Sequence, residues 1–447
     1  MDKNTFIDLV FKKAKQKNIE EFEIYFLSGT NTSLKVYNEK IDSFSDNQNQ
    51  GISFRGKFKE KMGYSYTESF TEEDADFLIK EAEENASVIE SDDEQIIYDG
   101  KGNYVSVETY DSSLENLEIS KIEEFLINME KEALQYDSRI KRVSTCVFGM
   151  GKSERIIKNS KGVDLRDRGN VAYVYISVAA EENGIIKTGS EFKVGRDFNE
   201  FNYKEISHRA AYKALSKFNS ISVDLKESRC VIENLAFTSL LESMAGIFSA
   251  EAVQKGVSLL KGKIGEKIAS DKVSVIDNPH LEKSEGAASF DSEGVPTKYK
   301  ELISNGVLKT YLYNLKTAKK DGVESTGNAS KGGYKGTVGI SSFNLYVQNG
   351  VKSFEELLKD VNEGILITDF AGLHSGLNSI SGDFSLAAEG FIIENGKKGR
   401  ALNQMTVAGN FFEVLKNIEE VGNDIRFSLS STGSPSVIIK NLYFSVD

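Results

Sequence analysis

Three of the four Asn-Gly pairs, Asn183-Gly184, Asn305-Gly306 and Asn395-Gly396, sit between apolar-rich segments and constrain the fold more than any other feature of the chain. Asn-Gly accepts the positive φ angles of a type I′ turn, whose twist matches that of two flanking antiparallel strands. The first pair closes a meander spanning Ile140 to Val194, with a further turn at Ser160-Lys161-Gly162. The second joins Glu301-Leu302-Ile303 to a strand over Val307 to Leu315, and the third follows Gly390 to Glu394. Alternation places more strands at Glu20–Leu27, Thr32–Tyr37, Gly51–Phe58, Cys230–Ile232 and Ile365–Thr368.

Helical spacing interrupts these strands. Residues 3 to 17 are amphipathic, Thr71 caps an acidic first turn that opens a helix through Ala86, and Leu114 to Gln135 predicts one long helix. Further helices are expected over Tyr203–Lys217, over a stripe of Phe237, Leu240, Leu241, Met244 and Phe248, and over Glu355–Val361. The pattern is α+β: an N-terminal α+β region with a mixed or antiparallel sheet over residues 1–224, then a β-rich C-terminal domain over 225–447 with a few helices. A sub-boundary is expected near 90–113, beginning at the poorly patterned acidic segment Glu90 to Gln95. Only three prolines in 447 residues argue for packed rather than tethered domains.

Formal net charge is −13, which works against a nucleic-acid partner, because such binders replace phosphate counterions with Lys and Arg. No run approaches the roughly 18 apolar residues of a membrane span, and the N-terminus lacks the apolar core of a signal peptide, so a cytoplasmic protein is expected. Cys146 and Cys230 are expected to be reduced and buried. The three histidines, His208, His280 and His374, are far apart and lack a second ligand at helical spacing. Asp291 and Glu293 alternate along an expected extended segment, where a solvated pair and a general acid/base pair both stay open. Residue chemistry alone stops at an acidic, multi-domain α+β protein.

A series of short motifs extends this reading. Phe290-Asp291-Ser292-Glu293-Gly294-Val295-Pro296-Thr297, Ser325-Thr326-Gly327-Asn328-Ala329, Glu363-Gly364-Ile365-Leu366-Ile367-Thr368, Ser381-Gly382-Asp383-Phe384-Ser385, Gly422-Asn423-Asp424 and Ser434-Pro435-Ser436 follow one another in the last half. In order and spacing they resemble the C-terminal domain of the TldD/PmbA family, also called modulators of DNA gyrase. The TldD-like branch of that family resembles a zinc protease, with H-E-x-x-x-H on the first helix of this domain and a further cysteine ligand near the C-terminus. Here Glu242, Ser243 and Ile247 stand where His, Glu and His are expected, and Asp424 to Ser434 contains no cysteine.

The chain instead resembles the metal-free PmbA branch, also called TldE, through Phe248-Ser249-Ala250-Glu251-Ala252-Val253 and Asn278-Pro279-His280-Leu281. That resemblance implies no catalytic residue and no metal in this chain, and zinc in a TldD-like partner. The pair would form a heterodimeric protease for small or unfolded peptides. Two other readings stay open: a self-sufficient homodimeric metallopeptidase with ligands such as Glu242 and His374, and a binding protein acting on gyrase. A substrate groove is expected along Asp291, Glu293, Gly294, Gly327, Asn328, Gly382, Asp383 and Ser385, where glycines would let an extended peptide approach.

Overall fold

The computed structural model describes residues 1–90, 94–224 and 226–446; part of the acidic segment Glu90 to Gln95 and the expected start of the C-terminal domain at 225 lie outside the described residues. Six long strands build the N-terminal sheet: β1 (Phe22–Tyr37), β2 (Lys40–Phe58), β3 (Lys61–Thr67), β4 (Ile140–Asn159), β5 (Asp164–Glu182) and β6 (Ile185–Gly195). They run in the order β3-β2-β1-β4-β5-β6, every neighbour antiparallel. The hairpin at Asn183-Gly184 has both residues at positive φ, 52° and 79°, as a type I′ turn requires. The turns at Asn38-Glu39 and Lys59-Glu60 reach the same region without glycine.

Because β1 pairs with β4 from Glu23 to Lys35, the segments on either side of the 90–113 stretch share one sheet. Helices Lys3–Gln16 and Glu72–Ser87 bury Phe6, Val10, Leu78 and Ile79 against Phe22, Ile24 and Phe54 of the sheet. The second helix starts on a capping box between Thr71 and Asp74. Helices Ile119–Gln135 and Tyr203–Leu215 cover another region, with Leu126, Met129, Ala210 and Ala214 against Leu34, Val174 and Ile176. Each fully buried Leu, Ile or Phe stabilises the fold by roughly 1.5–3 kcal/mol. The single helix expected over Leu114–Gln135 is two: Asp111 caps a short turn, Ser112–Glu115, and the chain restarts at Ile119.

In the C-terminal half, strands Glu227–Ile232, Gly364–Ala371, Asp383–Glu394, Met405–Asn410 and Val437–Val446 pair in a closed ring, one parallel contact and four antiparallel. Closure removes free edges from this barrel. Ile232, Ile367, Leu386, Met405, Val407 and Ile439 share a core with Phe237, Leu240, Leu241 and Met244 of helix Asn234–Met244. A six-stranded mixed sheet adjoins it, built from short strands between Val275 and Ser434. The strand expected over Val307–Leu315 is shorter, Val307–Leu308; beyond it Tyr311, Leu312 and Tyr313 pack into the core, with Leu312 making a single parallel bridge to Ser249. Cys146 and Cys230 are free and buried, and burial pushes both thiols above their usual range. Among the described residues no helix is long and apolar enough to cross a membrane.

Candidate functional site

Two polar regions stand out, one sealed and one open. The sealed region forms where the loop carrying Asp291 and Glu293 meets β1 and β2. The extended segment expected there is a tight turn: Gly294 has φ +78° and its N–H donates to Asp291 O. Asp291 Oδ1 accepts from the N–H groups of Glu293 (2.8 Å) and Val295 (3.0 Å), and Oδ2 from that of Ala329 (2.9 Å). Burial, reinforced by the neighbouring Glu293 charge, pushes Asp291 up to about 7.

Glu293 faces the other way. Its Oε1 accepts from Arg55 Nη1 at 3.2 Å and its Oε2 from Leu315 N–H at 2.9 Å. Arg55 also donates Nε and Nη2 to the two oxygens of Glu23, at 2.9 and 3.1 Å. Glu23 and Glu293 are 1% and 3% exposed, so one guanidinium bridges two buried carboxylates from opposite halves of the chain. Burial raises the Glu293 carboxyl, and Arg55 works against that rise. Lys331 lies beside this group, donating to Ser53 Oγ at 2.9 Å beneath the rings of Tyr25 and Tyr64. Burial pulls its ammonium down to about 7.

Asn328 is also enclosed, donating Nδ2 to Asp277 Oδ2 (2.8 Å) and Ser341 O (2.9 Å) and accepting from Thr326 Oγ1 (2.8 Å). Gly327 has φ +70°, and a Cβ there would stand 2.4 Å from Pro296 O. Asp291, Glu293, Gly294, Gly327 and Asn328 therefore come together, but as a packed joint in which the polar atoms already have partners. Gly382, Asp383 and Ser385 lie elsewhere, Gly382 just before and the other two on the barrel strand Asp383–Glu394; Asp383 and Ser385 are exposed, and Asp383 Oδ1 accepts from Asn410 Nδ2 at 2.8 Å.

The open region is a groove between the free edge of β6 and the C-terminal half. Three adjoining cavities of about 380, 500 and 540 Å³ follow β6 from Ile186 to Val194. The opposite wall comprises helix Asn234–Met244, Asp369, residues 387–391 and Arg426. Lys217 and Lys213 of helix Tyr203–Leu215 and its exit reach the outward carbonyls of Thr188 (2.8 Å) and Ser190 (3.2 Å). Glu191 Oε1 accepts from Arg426 Nη2 at 2.8 Å, and its Oε2 lies 3.0 Å from Lys213 Nζ. Burial pushes Glu191 up, but these two cations outweigh it and hold the carboxyl below its ordinary value. Burial raises Glu233 and, with Glu389 beside it, Asp369; it lowers Lys398, whose ammonium sits 3.7 Å over the Phe391 ring.

Helix Asn234–Met244 brings the degenerate motif to this groove. Glu242 is exposed and lines it, while Ser243 Oγ donates back to Ser239 O at 2.8 Å. The helix ends at Met244, and Ile247, in the following 3₁₀ turn, is 3% exposed within the core. A serine turned to its own helix and a buried aliphatic side chain do not fit a zinc ligand set. Among the described residues no three His, Cys, Asp or Glu side chains converge as metal ligands would. His208 is exposed beside Glu132; His280 Nε2 lies 3.0 Å from Thr297 Oγ1, its pKa lowered by burial and then by Lys300; His374 is exposed on a short turn after the barrel strand.

Sequence reasoning missed Glu23, Arg55, Lys331, Glu191 and Glu233. A charge inside an apolar strand was the available signal for the first two, in Phe22-Glu23-Ile24 and Phe54-Arg55-Gly56.

Residues 226–446 match the family model described as the PmbA/TldA metallopeptidase C-terminal domain, 112–218 the central domain and 22–86 domain 1. A metalloprotease of Methanocaldococcus jannaschii is 28% identical over 91% of this chain and 90% of its own length. Metalloprotease PmbA of Escherichia coli O157:H7 is 30% identical over 68% of this chain and 65% of its own. A solved structure from Thermotoga maritima, described as a modulator of a DNA gyrase, superposes with a TM-score of 0.92 at 34% identity, covering 99% of this chain and all of that one. TldE from Thermococcus kodakarensis shares the fold at 24% identity, with a TM-score of 0.89 over 98% of this chain and all of that one.

Proposed function

The chain belongs to the PmbA/TldD metallopeptidase family, and on that premise we propose that it is the metal-free subunit of a cytoplasmic protease for small or unfolded peptides. One observation carries the reading: where the zinc branch is expected to have its ligands, this chain has Glu242 and Ser243 on the helix beside the groove and Ile247 buried in the core in the turn that follows it. The metal then belongs to a TldD-like partner, and this chain contributes surface. The β6 groove suits that task, because an extended peptide can bond to a strand edge through its main chain, independently of its sequence. To do so it must displace Lys213 and Lys217 from the carbonyls of Ser190 and Thr188. Asp383 and Ser385, open to solvent on the strand whose residues 387–391 wall the groove, are proposed to extend the peptide path.

Zinc content of the purified chain, alone and after co-purification with a TldD-like partner, tests this alongside cleavage of an unstructured peptide. Metal and cleavage are expected only with the partner. Stoichiometric zinc and activity in the chain alone would overturn the reading in favour of a self-sufficient peptidase.

A further inference from the structure

The edge of β6 is covered by side chains set at matching intervals. Helix Tyr203–Leu215 lies directly on the strand at Gly189, where a Cβ would stand 2.3 Å from Ala210 O and 2.4 Å from Ala214 N. Four helical residues rise about 6 Å and two strand residues about 6.8 Å, so Lys213 and Lys217 come into step with Ser190 and Thr188. Both ammonium groups donate to the outward carbonyls there, at 3.2 and 2.8 Å. At the next outward position Glu191 Oε1 accepts from the Phe192 N–H at 3.1 Å. Three side chains thus hold three successive bonding positions of the edge, the places an added antiparallel strand would use.

These occupants are also tied to the opposite wall. Lys217 Nζ lies 2.5 Å from Glu389 Oε2 on the barrel, and Glu191 Oε1 accepts from Arg426 Nη2 at 2.8 Å. The two ties cross the groove as bars. Lys217 and Glu389 both line the 380 and the 500 Å³ cavities, and Glu191 and Arg426 both line the 500 and the 540 Å³ cavities. Without the bars the groove would run unbroken from Ile186 to Val194, roughly 27 Å of extended chain.

We propose that Lys213, Lys217 and Glu191 are specificity-determining residues that compete internally for the strand edge, so that the groove admits a peptide only where its main chain replaces their hydrogen bonds. The inference rests on the peptide-groove reading and adds what selects the peptide. In the exchange a peptide N–H takes each carbonyl and a peptide C=O takes the Phe192 N–H. Neither lysine is stranded, because Lys213 keeps Glu191 and Lys217 keeps Glu389, the carboxylates each already touches. A folded segment, whose amides are bonded internally, would cover the two carbonyls without bonding them, which is unfavourable. The selected class is therefore an extended chain with free amides, whatever its side chains.

Anisotropy of a fluorescent ten-residue peptide, unstructured and blocked at both ends, reads binding to the full chain, and amide exchange over residues 186–194 reads where it binds. Lys213→Ala and Lys217→Ala remove the competing donors and are each expected to tighten binding roughly five- to tenfold. Lys217→Arg keeps a charged donor and should bind as the wild type does. The same peptide N-methylated at every residue should bind at least roughly tenfold more weakly to every form, since it has no donors to exchange. Both lysines are partly exposed, and an unchanged circular dichroism melt confirms that each variant is folded. Peptide protection of β6 with unchanged or weaker binding to both alanine variants, or with equal binding of the N-methylated peptide, would overturn the competitor assignment and leave the groove standing. No peptide protection of β6 in any form would overturn the groove reading, and the assignment with it.

Discussion

Replacing Arg55 with methionine tests the joint between the two halves of the chain most directly. Methionine keeps the unbranched stem of the side chain but removes the guanidinium and with it every donor. Four hydrogen bonds meet in the wild-type joint besides the three made by Arg55: Glu293 keeps the Leu315 N–H, and Asp291 keeps its three backbone donors. Arg55→Met therefore leaves Glu293 with one partner and strips Glu23 of both guanidinium bonds, while both carboxylates stay buried. Removing one partner of a buried ion pair costs roughly 3–5 kcal/mol. Set against a typical stability of about 5–15 kcal/mol, that loss is readily measured by urea denaturation followed by far-UV circular dichroism. The loss should depend on pH. With its cation gone, Glu293 is driven further above the unfolded carboxyl range, so the folded state holds a proton that the unfolded state releases. That stabilisation is complete below the unfolded pKa and disappears as pH rises through the folded one, so the deficit should be greatest near pH 8 and shrink toward pH 5. Arg55→Met/Glu293→Gln should recover part of the loss, because one buried charge is then removed. A deficit under about 1 kcal/mol at pH 7.5, or one constant from pH 5 to 8, would refute the claim that Arg55 neutralises two buried carboxylates.

Two further outcomes are expected. Asp291→Asn turns an amide nitrogen toward the N–H of Ala329 or of its own turn, donor against donor, at a cost of about 1–3 kcal/mol. Since Asp291 is raised to about 7, wild-type stability should fall as pH climbs from 4 to 7, and the variant should lose that slope; parallel pH profiles would contradict the assignment. Asp383→Ala is expected to impair peptide cleavage by an assembled pair without moving its melting midpoint, and unchanged cleavage would remove the Gly382–Ser385 segment from the peptide path. Asn328→Ala cannot serve as the same test, because losing three buried hydrogen bonds should destabilise the chain by roughly 1–3 kcal/mol whether or not a peptide binds nearby.

How much of this was legible depended on whether the signal was local. Asn183-Gly184 marked its hairpin because the turn's backbone demand is written in two residues, and Thr71 marked its helix because a cap acts over one turn. Lys40–Gln50 escaped notice for the opposite reason. A strand exposed on both faces has no buried side to impose alternation, and its turn at Asn38-Glu39 lacks the expected glycine. The Asp291 and Glu293 pair was found as residues but misread as geometry, since alternation along the sequence gives a common face only in an extended strand, and Gly294 turns this segment back on itself. The β6 groove was beyond reach altogether: Glu191, Lys213, Glu233, Asp369, Lys398 and Arg426 come from six separate stretches, and no spacing rule joins them. What does join them is the packing of the N-terminal sheet on the barrel, and Glu191 shows the consequence. Its two cations come one from each half of the chain, Lys213 before residue 225 and Arg426 after it. The groove's electrostatics therefore exist only while the halves stay docked, and the Glu23–Arg55–Glu293 joint is one of the contacts that docks them. Loosening that joint should disturb the groove even though Arg55 does not line it.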